Sequence, residues 1–124
     1  MKADGNEVEG VLALTQGLGA EAVIDFVGEK GMTAKGLAMT RGMGSYYVVG
    51  YGENIVVPTV DMVITEKNII GNLVGTWAEL VELMALADRG LVNLTTVDYS
   101  LADANRALQD LNAGRIHGRA VLIP

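Results

Sequence analysis

Three glycines that follow apolar runs are the first residues of this chain whose type and spacing could serve a binding site. Gly28, Gly50 and Gly75 each come at the end of a short apolar segment of the kind that forms a buried strand. Ligands of open α/β sheets bind at the carboxyl ends of the strands, where glycine lets a ligand approach the backbone. Glycine also permits the turn that follows a strand, so two interpretations stay open: a shared binding edge or ordinary turns.

Asp25 is an acidic residue inside one of these apolar segments, residues 22–28. An unpaired buried carboxylate is costly, so Asp25 requires a partner or a place at the strand end. It could face a ligand in a cleft, but we favour the interpretation that it accepts hydrogen bonds from neighbouring backbone amides. Tyr46, Tyr47 and Tyr51 also have two interpretations, since they could line a cleft or pack in the core.

A short basic segment near the end of the sequence holds Arg115, His117 and Arg119. The arginines could hold a phosphate or a carboxylate, or they could be ordinary surface charge. The chain has no Cys and one His. These counts exclude disulfides, cysteine-ligated zinc, a Cys nucleophile and a multi-histidine metal cage.

The charge balance argues against two further classes of partner. The 124 residues include 15 acidic and 9 basic ones, for a net charge of −6. Nucleic acids and anionic membrane surfaces both require clustered Lys and Arg, so we expect neither as a partner. No run approaches the ~20 apolar residues that span a bilayer, and we expect no targeting segment. We therefore expect a cytoplasmic protein with a single domain over residues 1–124.

The elements that must position these residues alternate between helix and strand. Helices are predicted over residues 6–17, 33–41, 60–66, 76–90 and 100–114. Strands are predicted over residues 22–28, 45–50, 68–75, 95–99 and 119–123, with an edge-like piece at Ile55, Val56 and Val57 before Pro58. Buried-type strands separated by helices favour an α/β class with a parallel sheet and right-handed crossovers.

Two of these helices carry more specific predictions. In the second, Ala34, Leu37 and Ala38 are predicted to face inward. In the fourth, Thr76 and Glu79 have the spacing of a capping box, in which each side chain bonds the backbone amide of the other.

Four segments, in this order and at this spacing, resemble the zinc-containing medium-chain alcohol dehydrogenases. They are residues 20–28, 48–52, 68–76 and 114–124. The resemblance runs from about Asn6 to Pro124 and covers only the back part of such an enzyme. It corresponds to the second half of an NAD-binding Rossmann domain plus the C-terminal return segment. The implied fold is a partial Rossmann-like parallel sheet with helices packed on it.

The resemblance also implies which residues meet the nicotinamide side of NAD. They are Phe26, Val27, Val49, Gly50, Tyr51, Asn72, Leu73 and Arg119. In the family, residues that match Phe26 and Val27 lie beside the nicotinamide ring and ribose. Those that match Val49, Gly50 and Tyr51 offer backbone to the carboxamide and ribose. The turn that matches Asn72 and Leu73 reaches the carboxamide, and the basic residue that matches Arg119 approaches the pyrophosphate.

The chain departs from the family because it lacks the zinc ligands and the G-x-G-x-x-G loop. It looks like a truncated alcohol dehydrogenase with a weak or vestigial NAD site, no zinc of its own and no catalysis alone. The family activity would be NAD-dependent oxidation of alcohols to aldehydes or ketones. Two alternatives stay open: a working subunit completed by a complementary dehydrogenase chain, and a non-catalytic self-associating module. We expect a homo-oligomer through the 55–57 edge and the uncovered sheet face.

Overall fold

The structure, a computed structural model, describes residues 5–124. Contacts within the chain define two compact units, one within residues 1–75 and the other within residues 76–124. The assignment of the whole chain to a single domain stays a prediction. Among residues 5–124, no helix is long and apolar enough to cross a membrane.

The first unit is built on a three-stranded parallel sheet. Its helices are α1 (Glu7–Leu14), α2 (Met32–Met39) and α3 (Thr59–Thr65), and its strands are β1 (Ala20–Asp25), β2 (Thr40–Val48) and β3 (Asn68–Gly71). The strand order is β1-β2-β3, and both neighbouring pairs are parallel. One helix joins each pair of strands, because parallel neighbours need a crossover connection. The predicted α/β class with parallel strands is confirmed.

The second unit contains a separate pair of parallel strands. Its elements are α4 (Trp77–Asp88), β4 (Thr96–Ser100), a 3-10 turn (Leu101–Asp103), α5 (Ala104–Asn112) and β5 (Arg119–Ile123). The predicted capping box at the start of α4 is confirmed. The Thr76 hydroxyl accepts from the Glu79 N–H at 3.3 Å, and a Glu79 carboxylate oxygen accepts from the Thr76 N–H at 2.6 Å.

The inward face of α2 differs from the prediction. Tyr46 of β2 is fully buried, and its ring packs directly against Gly36 of α2. Gly36 and Thr33 are the buried residues of this helix, whereas Ala34 and Ala38 are exposed. Leu37, the third residue predicted to face inward, is half-buried. The prediction was wrong for Ala34 and Ala38 because a glycine lets the helix approach a large aromatic ring, and an apolar pattern alone does not reveal this.

Residues 55–57, predicted to be an edge-like piece, form no strand within residues 5–124, and their pairing with a second copy of the chain stays a prediction. The segment has irregular backbone and leads through Pro58 into α3. A crossover between parallel strands must leave the sheet for the helix layer, and this segment makes that passage. Val56 and Val57 accordingly line a groove with Leu37 of α2 and Met62 of α3.

One face of the sheet carries exposed apolar side chains. Ile24, Tyr47 and Ile70 are register partners across β1, β2 and β3. Strand residues alternate between faces, so this row lies opposite the face on which Tyr46 meets α2. Ile24 is 56% exposed and Ile70 is 37% exposed. The strands predicted to be buried on both faces are therefore open along this row.

Candidate functional site

The three strands of the first unit end on one line. Asp25, the last residue of β1, is the register partner of Val48, the last of β2, and Val48 is the partner of Gly71, the last of β3. Residues 26–28, 49–51 and 72–73 follow these ends, and we call them the carboxyl edge. The structure thus brings seven of the eight sequence-predicted site residues to one edge of one sheet.

Hydrogen bonds continue the alignment beyond the strand ends. The N–H groups of Val49 and Gly50 both donate to the Asp25 carbonyl at 2.9 Å. The Asn72 N–H donates to the Val48 carbonyl at 2.8 Å, and the Asn72 side-chain amide donates to the Ile70 carbonyl at 3.0 Å. The backbone of the carboxyl edge is therefore fixed to the strands that precede it.

The buried Asp25 carboxylate has a partner on each of its oxygens. Oδ1 accepts from the N–H of Val27 at 2.8 Å and from the N–H of Gly28 at 2.9 Å. Oδ2 accepts from the Tyr46 hydroxyl at 2.6 Å. The favoured interpretation of Asp25 as an acceptor for backbone amides is confirmed. Sequence reasoning missed Tyr46 as its partner, because no local pattern connects two residues on neighbouring strands.

These contacts decide the charge state of the pair. Burial by itself raises the pKa of Asp25, but the hydrogen bonds from Tyr46, Gly28 and Val27 outweigh it and hold that pKa below its ordinary value. Burial also raises the pKa of Tyr46, and the bond to Asp25 raises it further. At neutral pH the pair is a carboxylate and a neutral phenol. It is suited to anchoring backbone rather than to moving a proton.

Gly28 and Gly50 lie where two segments of the carboxyl edge touch. A Cβ on Gly28 would overlap the backbone of Gly50, and a Cβ on Gly50 would overlap the backbone of Phe26 and Val27. Gly28 also has a φ of +62°, which disfavours any other residue. Both glycines therefore allow contact between segments. All three glycines predicted to end strands lie beyond the strand ends: Gly28 is three residues after Asp25, Gly50 is two after Val48 and Gly75 is four after Gly71. The prediction that they end the strands was therefore wrong.

Apolar side chains extend from the carboxyl edge into solvent. Phe26 is 73% exposed, Tyr51 is 93% exposed and Leu73 is 92% exposed. Val27 is also exposed, whereas Val49 is half-buried. Apolar side chains and a few fixed backbone polar groups are the chemical groups that line sites for small organic ligands.

The predicted basic residues lie in the second unit. Arg119 is exposed at the start of β5, and its guanidinium donates to the Gly118 carbonyl at 3.4 Å. Its predicted approach to a pyrophosphate stays a prediction. Arg115 is engaged by Asp110, whose Oδ1 accepts from it at 2.6 and 2.9 Å. His117 is exposed.

Glu53 is a second residue whose role sequence reasoning missed. Its carboxylate accepts from the Thr33 hydroxyl at 2.6 Å, from the Thr33 N–H at 2.9 Å and from the Gly31 N–H at 2.8 Å. These bonds, that of the Thr33 hydroxyl first, lower the pKa of Glu53. Its own N–H donates to the Gly28 carbonyl at 2.9 Å. Glu53 thus caps α2 from a distant loop, and a carboxylate already occupies the place where a helix start could bind an anion.

Residues 5–124 do not fit a zinc site. Within residues 5–124, no group of three or more His, Cys, Asp or Glu side chains is arranged to hold a metal ion. The buried carboxylate of Asp25 is committed to three donors. The chain has no Cys at all.

The sequence of this chain is similar to those of known dehydrogenases. A family model described as "Zinc-binding dehydrogenase" matches residues 2–89. The NAD-dependent alcohol dehydrogenase of Sulfolobus acidocaldarius is 33% identical over 117 residues, which are 92% of this chain and 34% of that protein. D-arabinose 1-dehydrogenase (NADP(+)) of Saccharolobus solfataricus is 30% identical over 112 residues, covering 90% of this chain and 32% of that protein.

A solved structure extends the similarity to the whole chain. The crystal structure of the alcohol dehydrogenase from Aeropyrum pernix matches with a TM-score of 0.91 and 35% identity, covering 100% of this chain and 36% of that one. The predicted partial Rossmann-like fold is confirmed. The chain spans about a third of the length of the relatives that it matches.

Proposed function

Because this chain belongs to the zinc-binding dehydrogenase family, that of the medium-chain alcohol dehydrogenases, we propose that its first unit binds the nicotinamide end of NAD at the carboxyl edge. One observation carries the proposal. Three parallel strands end in register, and Phe26, Tyr51 and Leu73 are exposed immediately beyond them. Ligands of α/β sheets bind at this end of the strands, and a planar ring is well served by apolar side chains.

The hydrogen bonds already formed restrict what each residue offers the cofactor. The N–H groups of Val49 and Gly50 donate to Asp25, so these two residues offer their carbonyl groups. Within residues 5–124 the Tyr51 N–H has no hydrogen-bond acceptor, which leaves it free to donate to a carboxamide oxygen. Phe26 offers its exposed ring to the nicotinamide and its ribose.

Cofactor binding, not alcohol oxidation, is the role that we propose for this chain. In zinc enzymes the metal polarises the substrate oxygen, and the described residues supply no ligand set for it. We therefore propose a partial NAD site that is not catalytic by itself. Completion of this site by a complementary dehydrogenase chain, and a cytoplasmic location, stay predictions.

Self-association is a second candidate function, and the open row of Ile24, Tyr47 and Ile70 favours it. Exposed apolar rows on a sheet face tend to be covered by a partner. Sedimentation of the protein without ligand tests this candidate. We expect an oligomer that Ile24→Lys converts to monomer, and a parent chain that sediments as a monomer would contradict it.

A titration with NADH, followed by the fluorescence of NADH itself, tests the cofactor proposal. We expect saturable binding by the parent chain. Leu73→Glu places a charge at the carboxyl edge and is expected to weaken binding about tenfold, or ~1.4 kcal/mol. Leu18→Glu is the matched control, because Leu18 is 71% exposed in the same unit but precedes β1, at the end of the sheet away from the carboxyl edge. No saturation at millimolar NADH, or equal effects of the two variants, would refute the proposal.

A further inference from the structure

We propose that Asp25 and Tyr46 are positioning residues that hold two segments of the carboxyl edge, residues 26–28 and 49–51, in the arrangement that receives the nicotinamide end of the cofactor. This inference rests on the proposed function and names the residues that shape the site. Neither residue is available to touch the cofactor, since both are buried. They act through the backbone of the edge.

Asp25 bonds both segments at once. Its side chain accepts from the N–H groups of Val27 and Gly28, and its carbonyl accepts from those of Val49 and Gly50. Four backbone donors of the carboxyl edge therefore converge on one residue. Removing the carboxylate would leave the first two donors buried or half-buried without an acceptor, and that costs more than an ordinary hydrogen bond.

Tyr46 connects this anchor to the helix layer. Its ring lies against Gly36 of α2, and its hydroxyl reaches Asp25 Oδ2 at 2.6 Å. A fully buried ring in contact with a helix has little freedom to turn. The Tyr46 hydroxyl therefore fixes the direction of the carboxylate, and the carboxylate fixes the N–H groups of residues 27 and 28.

The two segments are in direct backbone contact. Gly28 and Gly50 touch so closely that neither tolerates a Cβ, and the Gly28 carbonyl accepts from Glu53 in the loop beyond. A displacement of one segment must therefore displace the other. Phe26 lies two residues before Gly28, and Tyr51 directly follows Gly50. The distance between the exposed Phe26 and Tyr51 side chains therefore depends on the hydrogen bonds of Asp25 and Tyr46.

Two variants of β2 distinguish positioning from a general loss of stability. Tyr46→Phe deletes the hydroxyl that bonds Asp25. Thr40→Val is the matched control, because Thr40 is buried in the same strand and its hydroxyl donates to the Gly36 carbonyl at 2.8 Å. Thr40 is the first residue of β2 and lies at the end away from the carboxyl edge. Each variant thus deletes one buried hydroxyl hydrogen bond.

The readouts are amide hydrogen exchange at residues 27, 28, 49 and 50, the Kd for NADH, and the urea midpoint. We expect Tyr46→Phe to speed exchange at residues 27 and 28 about tenfold and to raise the Kd about tenfold, the size of one charge-assisted hydrogen bond. Thr40→Val should lower the urea midpoint comparably but change both other readouts less than about twofold. Equal effects of the two variants on exchange and Kd would overturn the inference.

Asp25 itself supplies an independent test through a conservative variant. Asp25→Asn keeps the shape and one acceptor oxygen, whereas Asp25→Ala removes both. We expect the Kd of Asp25→Asn to lie between those of the parent chain and Asp25→Ala. If Asp25→Ala does not fold, an unchanged Kd and unchanged exchange in Asp25→Asn still overturn the inference.

The proposed function and this inference fail in different ways. A parent chain that binds no NADH refutes the proposed function. The exchange comparison then decides the inference alone, because it requires no ligand: unchanged protection of residues 27 and 28 in Tyr46→Phe overturns it. A parent chain that binds NADH with a Kd unaffected by Tyr46→Phe leaves the proposed function intact and overturns only the inference.

Discussion

Replacing Gly36 by alanine tests the contact between α2 and β2 that supports the carboxyl edge. A Cβ at this position would overlap Cε2 of the Tyr46 ring and would lie 3.1 Å from Cζ and 3.2 Å from Cδ2. Tyr46 is fully buried, and its hydroxyl is bonded to Asp25 at 2.6 Å. A movement of the ring away from the added methyl group strains that bond, so either the helix shifts or the bond to Asp25 weakens.

The expected magnitude follows from one stabilising and two destabilising effects. Alanine is favoured over glycine inside a helix by about 1 kcal/mol. An extra methyl group in a packed core costs about 1–3 kcal/mol, and loss of a hydrogen bond to a buried carboxylate costs about 1.5–3 kcal/mol. The net destabilisation of Gly36→Ala is therefore about 1.5–5 kcal/mol, a large part of the stability of a small unit.

Urea unfolding followed by circular dichroism measures this change. The control is Ala34→Gly, since Ala34 is exposed on the same helix and its replacement reports the local alanine-over-glycine preference. After correction by the control, Gly36→Ala should remain strongly destabilising. A variant as stable as the parent chain would show that the Tyr46 ring has room to move, and it would refute the packing argument on which the positioning role depends.

Two further predictions concern other parts of the chain. The pKa of Glu7 is lowered from 4.5 to about 2, first by the N–H of Gly5, then by its own N–H and by Lys35. A carboxylate whose pKa is lowered on folding stabilises the folded state at pH values above its ordinary pKa. This stabilisation is lost as the pH falls through the lowered pKa. The free energy of unfolding of Glu7→Gln, measured by denaturant titration, should therefore fall less than that of the parent chain between pH 4.5 and about 2. An equal fall in the two proteins would contradict this. In the second unit, Gly118→Ala places a Cβ against the Thr95 carbonyl at a φ of +93°. That carbonyl accepts from the Arg119 N–H, so the Arg119 amide should lose its hydrogen-exchange protection and the Tm should fall. Unchanged protection of Arg119 would contradict this prediction.

The sequence by itself determined the local elements and the family. Apolar, β-branched runs indicated all five strands, and the three-residue spacing from Thr76 to Glu79 indicated the start of α4. Such signals depend on side chains within a few residues of one another, so a single sequence contains them. The order of the family-like segments identified the dehydrogenase fold, which the comparisons confirm.

Local pattern was insufficient where the helix layer meets the sheet. The apolar residues at 55–57 have strand-like composition, but the chain there crosses from the sheet to α3. The inward face of α2 is made by Gly36 and Thr33 rather than by the larger apolar residues beside them. In both cases packing against a neighbouring element overrides local preference.

Only the tertiary structure decided how the carboxyl edge is held. Asp25 and Tyr46 are 21 residues apart, and Glu53 lies 20 residues beyond the Thr33 that it caps. Which side chains meet across such distances depends on strand order and on register, because each parallel pair is joined through a crossover. Moving a strand by one residue would turn Tyr46 to the opposite face of the sheet and leave Oδ2 of Asp25 without its hydroxyl donor. No periodicity in the sequence specifies that register; the packing of Tyr46 against Gly36 does.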